Sequence, residues 1–262
     1  GGQSNPTYVL FFYKKKKIIL RKQPPGELLP SAHDVAREYK IQKALESSTI
    51  PCPRMIKFCD NKNIIGTDFY LMELVDGKVY ENILDIKSIE SRKTIYLNLV
   101  KMLAKLHKVN FTLIGMEKFG KIGNYVERQI NRWEKQWFLS KTRSLPIMTT
   151  IINWLKQNIP EKDETSLVHG DYRIGNVIYK QGSEKIVALL DWELSTLGNP
   201  YSDLGYLLHT HFIPFGQRHG LKNLDLKKEN IPTVEEIVNV YCNEKEIDIV
   251  DPYFYVVLSM FR

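Results

Sequence analysis

Residues 166–208, SLVHGDYRIGNVIYKQGSEKIVALLDWELSTLGNPYSDLGYLL, decide how the rest of the chain is read. The first part carries His169, Asp171 and Asn176; the second delivers Asp191 at the end of the apolar run 186–190. A short run of branched aliphatic residues predicts a buried strand. It leaves the Asp191 carboxylate where the chain exits the core. Between the two groups, residues 177–179 predict a second short strand and Gln181-Gly182 a turn. The resulting hairpin folds Asp171, Asn176 and Asp191 into one pocket.

Phosphoryl transfer from a nucleotide asks for that set of groups. A hard cation must be held by oxygen ligands against the phosphates, and a proton acceptor must stand beside the substrate hydroxyl. Asp171 with Asn176 five residues on has the spacing of a kinase catalytic loop, where the Asp is the base and the Asn a metal ligand. Asp191 stands where the second metal-binding carboxylate belongs. Trp192-Glu193 and Gly170 depart from the protein-kinase pattern, and no Ala-Pro-Glu segment follows. Asp and Asn also make Asx turns, and Asp191 could cap a helix over 193–196. The joint spacing favours the site over those local roles.

The chain has 262 residues, enough for one large domain or two lobes sharing a cleft. Its 43% hydrophobic and 26% charged residues are ordinary for a globular protein. No apolar run has the length of a membrane span, and no signal-peptide pattern opens the chain. Cys52, Cys59 and Cys242 lack metal spacing and fit a reducing compartment. A net charge of +7 permits an anionic ligand without identifying one. Much of the excess sits at 14–17, between two apolar runs, where it predicts a solvated hairpin tip. Neither interleaved aromatics nor a basic amphipathic helix supports a nucleic-acid or membrane partner.

Small residues at the start, including Gly2, Ser4 and Asn5, suit a loop that covers phosphates with backbone N–H groups. In the strand that follows, alternation puts Ile19 and Arg21 on one face. An apolar residue under an adenine and a cation two residues on is the arrangement of the kinase Val-Ala-Ile-Lys strand. Arg21 takes the place of the phosphate-gripping Lys, with Lys22 its substitute if the register slips by one. A helix is predicted from Ser31 or Asp34 to Leu45. Its Glu38 either pairs with Arg21 or is a plain exposed helix residue. Residues 55–59 and 69–75 predict strands, the second leading through Glu73 and Val75 to a hinge whose main chain would meet the adenine edge.

From Ser88 onward helical spacing takes over. Helices are predicted from Ser88 to His107, from Gly123 through Trp133, over 147–159, from a capping box at Thr233-Val234-Glu235-Glu236, and from Asp251-Pro252. His107 reads as a structural histidine, Arg128 and Trp133 as a solvated helix face with a substrate-facing role the lesser alternative. His209 and His211 lack a third ligand for a metal. Strands with one helix up to about Gly77, then helices interrupted by the catalytic hairpin, predict an α+β, two-lobed, protein-kinase-like fold: residues 1–77 a nucleotide-binding lobe and 78–262 a helical lobe, the active site in the cleft.

GGQSNPTY, ILRKQPPGELLPSAHDVAREYKIQKAL, FYLMELVDGKVY, YVERQINRW, HGDYRIGNVIY and LLDWELSTLGNPYSDLGYLL together resemble the aminoglycoside and choline phosphotransferase superfamily, closest to the kinase-like domain that precedes acyl-CoA dehydrogenase modules. The resemblance covers almost the whole chain. It implies an ATP- and Mg²⁺-dependent small-molecule kinase acting on a hydroxylated acyl group, as a hydroxy acid or its CoA thioester. Phosphorylation would turn the hydroxyl into a leaving group for a dehydrogenase-like step. By motif, Asp171 is the base, Asn176 and Asp191 hold Mg²⁺, Arg21 and the loop with Gly2, Ser4 and Asn5 hold phosphates, Glu38 orients Arg21, and Asp203 braces the catalytic loop. Arg173, beside the base, is a candidate for holding a substrate carboxylate or the γ-phosphate. The resemblance also implies a C-terminal fusion to an acyl-CoA dehydrogenase module and an intracellular setting, mitochondrial or peroxisomal. Gly175 departs from the Asp of the closer family. A first strand is expected before Gly1, and the helical lobe is expected to continue past Arg262. The rival reading is a regulatory module that binds nucleotide or acyl-CoA without turnover.

Overall fold

A computed structural model describes residues 5–12, 17–24 and 34–262. Gly2, Ser4 and the lysines at 14–16 lie outside the described residues. Strands β1 (Thr7–Phe11) and β2 (Lys17–Lys22) pair antiparallel, Val9 opposite Ile19 and Thr7 opposite Arg21. Helix α1 (Val35–Leu45) starts at Asp34, whose carboxylate accepts the Arg37 N–H at 3.0 Å. That is the ordinary N-cap bond. Strand β3 (Met55–Cys59), a single turn of helix α2 (Lys62–Ile65) and strand β4 (Phe69–Glu73) complete an antiparallel sheet in the order β1-β2-β4-β3. Ile19, Met55, Tyr70 and Met72 on the sheet pack with Val35 of α1 in a small core. Farther along the same helix, Ile41 and Leu45 enter the large core of the helical part. Helix α1 thus belongs to both packing units.

The helical part is built on α3 (Ile89–Lys108), capped by Ser88, with Leu99, Val100, Leu103 and Leu106 fully buried. Helices α4 (Tyr125–Ser140) and α5 (Pro146–Gln157) follow. Strand β5 (Ser166–Val168) then opens the segment that carries the motifs. Strands β6 (Val177–Tyr179) and β7 (Ile186–Leu189) form the anticipated hairpin, and β8 (Thr196–Gly198) returns to pair with β5. Helices α6 (Tyr201–Leu208), α7 (Val234–Lys245) and α8 (Tyr253–Phe261) close the chain. The capping box at Thr233 is formed, with the Glu236 carboxylate accepting the Thr233 N–H at 2.9 Å. Among the described residues no helix is long and apolar enough to cross a membrane.

The sequence-based elements hold with three differences. The strand expected over 69–75 leaves the sheet at Glu73. The helix over 193–196 that Asp191 could cap, the local alternative to its site role, is one 3-10 turn, Trp192–Leu194, without a side-chain cap. Helix α6 and strands β5 and β8 were not anticipated: the strands are three residues each, too short to show a period.

The two parts are stitched together at the catalytic hairpin. Lys78 and Tyr179 exchange backbone hydrogen bonds at 2.8 and 2.9 Å, and the Leu189 N–H donates to Pro51 O at 2.8 Å. Gly77 is required for the first contact, because a Cβ there would lie 2.4 Å from both Ile178 Cγ2 and Tyr179 O. Gly77→Ala must therefore push the hinge off the hairpin, and overpacking of this kind costs about 1–3 kcal/mol. Urea unfolding should show the free energy of unfolding lowered by that amount, as a lower midpoint with the slope unchanged; wild-type stability would contradict the contact.

Candidate active site

The catalytic loop is held from beneath by one buried carboxylate. Asp203, on α6, accepts the backbone N–H of His169 at 2.6 Å and of Gly170 at 2.9 Å. Its Oδ2 also takes Nε2 of His107 at 3.3 Å, and His107 Nδ1 accepts from the Tyr241 hydroxyl at 2.8 Å. That relay assigns the neutral Nε2–H tautomer. The expected bracing role of Asp203 and the structural role of His107 are both in this chain of bonds. Burial resists ionisation of Asp203, but His107, His169 and the backbone donors outweigh it, and its pKa lies below the ordinary value. Gly170 adopts φ +87°, and a Cβ would sit 2.6 Å from Leu194 O. The loop therefore carries Gly where a protein kinase has Arg.

Above this support stands Asp171. Asn176 Nδ2 donates to its Oδ2 and to its backbone carbonyl, both at 2.8 Å, and the Tyr206 hydroxyl donates to its Oδ1 at 2.5 Å. Both carboxylate oxygens are thus aimed by neutral donors. Tyr206 escaped the sequence reading, although its position three residues past Asp203 on one helix was a usable signal. His169 is turned by two bonds, accepting from the Asp171 N–H at 3.3 Å and donating to Leu190 O at 2.9 Å. The Leu190 N–H donates to Asn176 O at 2.8 Å, which brings the start of the Asp191 turn beside the loop. Asp191 itself has φ 62° and ψ 62°. Asp tolerates this left-handed conformation better than most residues. The following Trp192 is fully buried, with its ring 4.7 Å from that of His169 and its indole N–H on Leu189 O at 3.2 Å.

Across the cleft, Arg21 bridges the two parts. Its Nε lies 2.8 Å from Glu38 Oε2, and its Nη2 lies 2.7 Å from Asp191 Oδ1. This resolves the register in favour of Arg21 over Lys22, and it resolves Glu38 as a buried partner, 1% exposed, instead of a surface helix residue. Tyr70 also donates to Glu38 at 2.9 Å, and the Asn5 amide donates to its Oε1. Burial pushes the Glu38 carboxyl up, against the pull of Arg21, Tyr70 and Asn5. Asn5, expected in a phosphate-covering loop, thus spends its amide on Glu38 and is fully buried. Ile19 shares the Arg21 face as expected but is 8% exposed and packs in the small core, so it is first a core residue. Glu73 is occupied with Arg54: its backbone N–H donates to Arg54 O at 3.0 Å, and its Oε1 accepts the Arg54 N–H at 3.0 Å. Val75 follows in irregular chain beyond β4. Neighbouring Arg37 points the other way from Glu38, donating to Ser195 O at 3.1 Å and lying 3.8 Å over the Phe119 ring.

On the other side of Asp171 opens a cavity of about 880 Å³. Arg173, Arg218, His209 and His219 are among its lining residues, with apolar surface from Phe212 and Trp133. Arg173 reaches Glu81 at 3.3 Å, and its guanidinium folds over Gly175, where a Cβ would lie 2.6 Å from Nη1. Trp133 lines the cavity, whereas Arg128 caps its own helix start, donating to Gly123 O and to Lys121 O at 3.0 Å. His211 Nε2 donates to Pro232 O at 3.0 Å, and His209 stacks on Tyr206 at 4.9 Å.

A two-lobed α+β fold with an Asp-Asn loop facing a second Asp defines a kinase-like phosphotransferase. The chain belongs to the phosphotransferase enzyme family (APH), whose profile matches residues 1–228. It is 40% identical over its full length to mouse "Acyl-CoA dehydrogenase family member 10" and 39% identical to rat "Acyl-CoA dehydrogenase family member 11". It spans only 25% and 34% of those proteins. Among solved structures, a candidate aminoglycoside phosphotransferase from Ralstonia eutropha superposes with a TM-score of 0.90 at 38% identity, over 99% of this chain and 78% of that one. The amicoumacin kinase complex with AMP-PNP and Ca²⁺ shares the fold, with a TM-score of 0.62 at 13% identity, over 100% of this chain and 76% of that one.

The relay under the loop has a pH signature. Burial holds His107, His209 and His211 below the ordinary histidine value of 6.5. The unfolded chain then binds more protons just below pH 6.5, so this stability is complete above that pH and is lost as pH falls. Asp203, also depressed, adds a loss of the same sign below its ordinary 3.8. The melting temperature should be flat above pH 7 and fall toward pH 5. A melting temperature that rises over that interval would contradict the buried neutral histidines.

Proposed function

We propose that this domain transfers the γ-phosphate of ATP, with Mg²⁺, to the hydroxyl of a hydroxy acid or its CoA thioester. The observation that carries the reading is Asp171, both of whose oxygens are fixed by Asn176 and Tyr206 at the wall of a cavity large enough for a small molecule. In this reading the lobe boundary falls at Gly77, the acceptor enters the cavity and the nucleotide lies on the Arg21 side. The acyl-CoA dehydrogenase names of the relatives support the acyl class of the acceptor and a fusion to such a module.

Asn176 and Asp191 would hold the divalent cation. The donor set fits: both offer oxygen, and Asp191 Oδ1 already accepts a cationic group, Arg21, at 2.7 Å. When bound, Mg²⁺ supplies neutralisation of charge on the phosphate oxygens. Asp171 accepts the hydrogen bond of the acceptor hydroxyl and takes its proton as that oxygen bonds to the γ-phosphorus, while the bond from phosphorus to the β–γ bridging oxygen breaks and ADP leaves. Arg21, held by Glu38, presents a fixed positive charge to the phosphates. Tyr206 and Asn176 restrict the rotation of the Asp171 carboxylate, so that an oxygen already faces the acceptor.

The test is ATP consumption with Mg²⁺ against hydroxy acids, their CoA thioesters, choline and an aminoglycoside, followed by mass spectrometry of the product. Asp171→Ala should lower transfer by about 10²–10⁴-fold while sparing nucleotide binding. Wild-type turnover by that variant would refute the base. Tyr206→Phe removes one hydrogen bond to a charged group, a loss of about 1.5–3 kcal/mol. It should lower kcat by about 10–100-fold with the nucleotide Kd unchanged; an unaltered kcat would reduce Tyr206 to packing.

A further inference from the structure

The wall of the cavity opposite α6 is a turn with an unusual backbone. Ile213 O accepts the Lys222 N–H at 2.9 Å, Lys222 O accepts the Phe215 N–H at 3.0 Å, and Leu221 N–H donates to Thr210 O at 2.8 Å. Inside it, Gln217 N–H donates to Pro214 O at 3.1 Å and Gly220 N–H to Gln217 O at 2.6 Å. Between those bonds Arg218 (φ 38°) and His219 (φ 62°) are consecutive non-glycine residues in the left-handed region. Such positions cost about 1–3 kcal/mol each and persist where the surroundings over-determine them. Gly220 leaves no room to relax, since a Cβ there would lie 2.3 Å from Ile213 O.

That strain places Arg218 and His219 on the cavity that Asp171 shares. The charges around the cavity do not balance. Asp171 is engaged with Asn176 and Tyr206, and Glu81 pairs with Arg173 at 3.3 Å. Among the described residues Arg218 makes no ion pair. A guanidinium carried at a conformational cost over a ligand cavity, without a protein counter-charge, is matched to a planar or tetrahedral oxyanion.

We propose that Arg218, held by the 213–222 turn, is a specificity-determining residue that binds an anionic group of the acceptor other than its reacting hydroxyl. This deepens the proposed function and rests on its assignment of the cavity to the acceptor. The shared chemistry is an oxyanion: the carboxylate of a free hydroxy acid or the phosphates of a CoA thioester. A cationic acceptor is selected against by the same charge.

The experiment is equilibrium binding by calorimetry to the intact polypeptide, using 3-hydroxyhexanoate, its CoA thioester, neutral 1,3-hexanediol and choline. Arg218→Gly removes the guanidinium and relieves the backbone, so its melting temperature should match or exceed that of the wild type while anion affinity falls at least tenfold. Arg218→Gln, which keeps side-chain bulk, should lose the same affinity, and Arg218→Lys should retain part of it. Diol affinity should move less than twofold. Loss confined to the thioester assigns the anion to the CoA phosphates; loss with both assigns it to a site that accepts the carboxylate as well. Anion affinities within twofold of wild type in Arg218→Gly and Arg218→Gln, no anion binding by the wild type, or choline or the diol binding as tightly as the anions would each overturn the proposal. Binding that depends on Arg218 without any phosphorylated product would instead refute the kinase reading and leave the subsite standing.

Discussion

A single buried carboxylate, Asp203, sets the geometry on which the site depends. It is 2% exposed and receives two backbone N–H groups and an imidazole. A charge taken out of water is tolerated only when such donors replace its hydration. Here the donors are the backbone of the catalytic loop itself, so the loop cannot leave without orphaning the charge. The coupling runs both ways: the loop is rigid because Asp203 is ionised, and Asp203 is ionised because the loop and His107 are there. His107 in turn is aligned by Tyr241 on α7, so the loop is referred to three helices of the core.

Helix α1 does for the cleft what Asp203 does for the loop. Two adjacent residues on it face different parts of the molecule. Glu38 takes Arg21 from the sheet, while Arg37 binds the Ser195 carbonyl just past Asp191. Arg21 then closes the circuit by reaching Asp191 directly. A displacement of α1 would therefore disturb both Arg21 and the turn that carries Asp191. Because Ile41 and Leu45 of the same helix lie in the large core, the helix is anchored and not merely balanced between its polar contacts.

Much of this was legible in the sequence, and for a definable reason. A loop brings Asn176 onto Asp171, and a hairpin sets Leu190, next to Asp191, against Asn176, and the spacing of both is written in residue counts. Arg21 follows from strand alternation read against the kinase Val-Ala-Ile-Lys strand, with Lys22 open until the register of β2 is seen. Glu38 was left between two readings because a carboxylate on a helix looks the same whether it meets solvent or a buried arginine. Asn5 shows the same limit: small polar residues near a chain turn suit backbone donation, and only the fold shows the side-chain amide turned into the lobe toward Glu38. Tyr206 carried a signal, one turn beyond Asp203, that a motif-based reading passes over. Arg218 and His219 carried none. Nothing in an Arg-His pair announces left-handed backbone, which is imposed by the hydrogen bonds of Ile213, Gln217 and Lys222 around it.

Helix α6 and the turn after it tie these parts into one mechanical unit. Asp203 points to the loop, Tyr206 one turn later to the Asp171 carboxylate, and Thr210, just beyond, to Leu221 in the 213–222 turn. Support, base and cavity wall are thus read from one rod, whose own position is fixed where Gly205 lets Tyr255 of α8 approach so closely that a Cβ would lie 2.4 Å from its carbonyl carbon. In such an arrangement the distance from the base to the wall is set by a rigid element, not by a flexible loop. On the proposed function, an acceptor that contacted the wall would be measured against Asp171, and a molecule of the wrong length would lose either its anchor or its alignment. Selectivity for the acceptor and orientation of Asp171 would then follow from the same constraint.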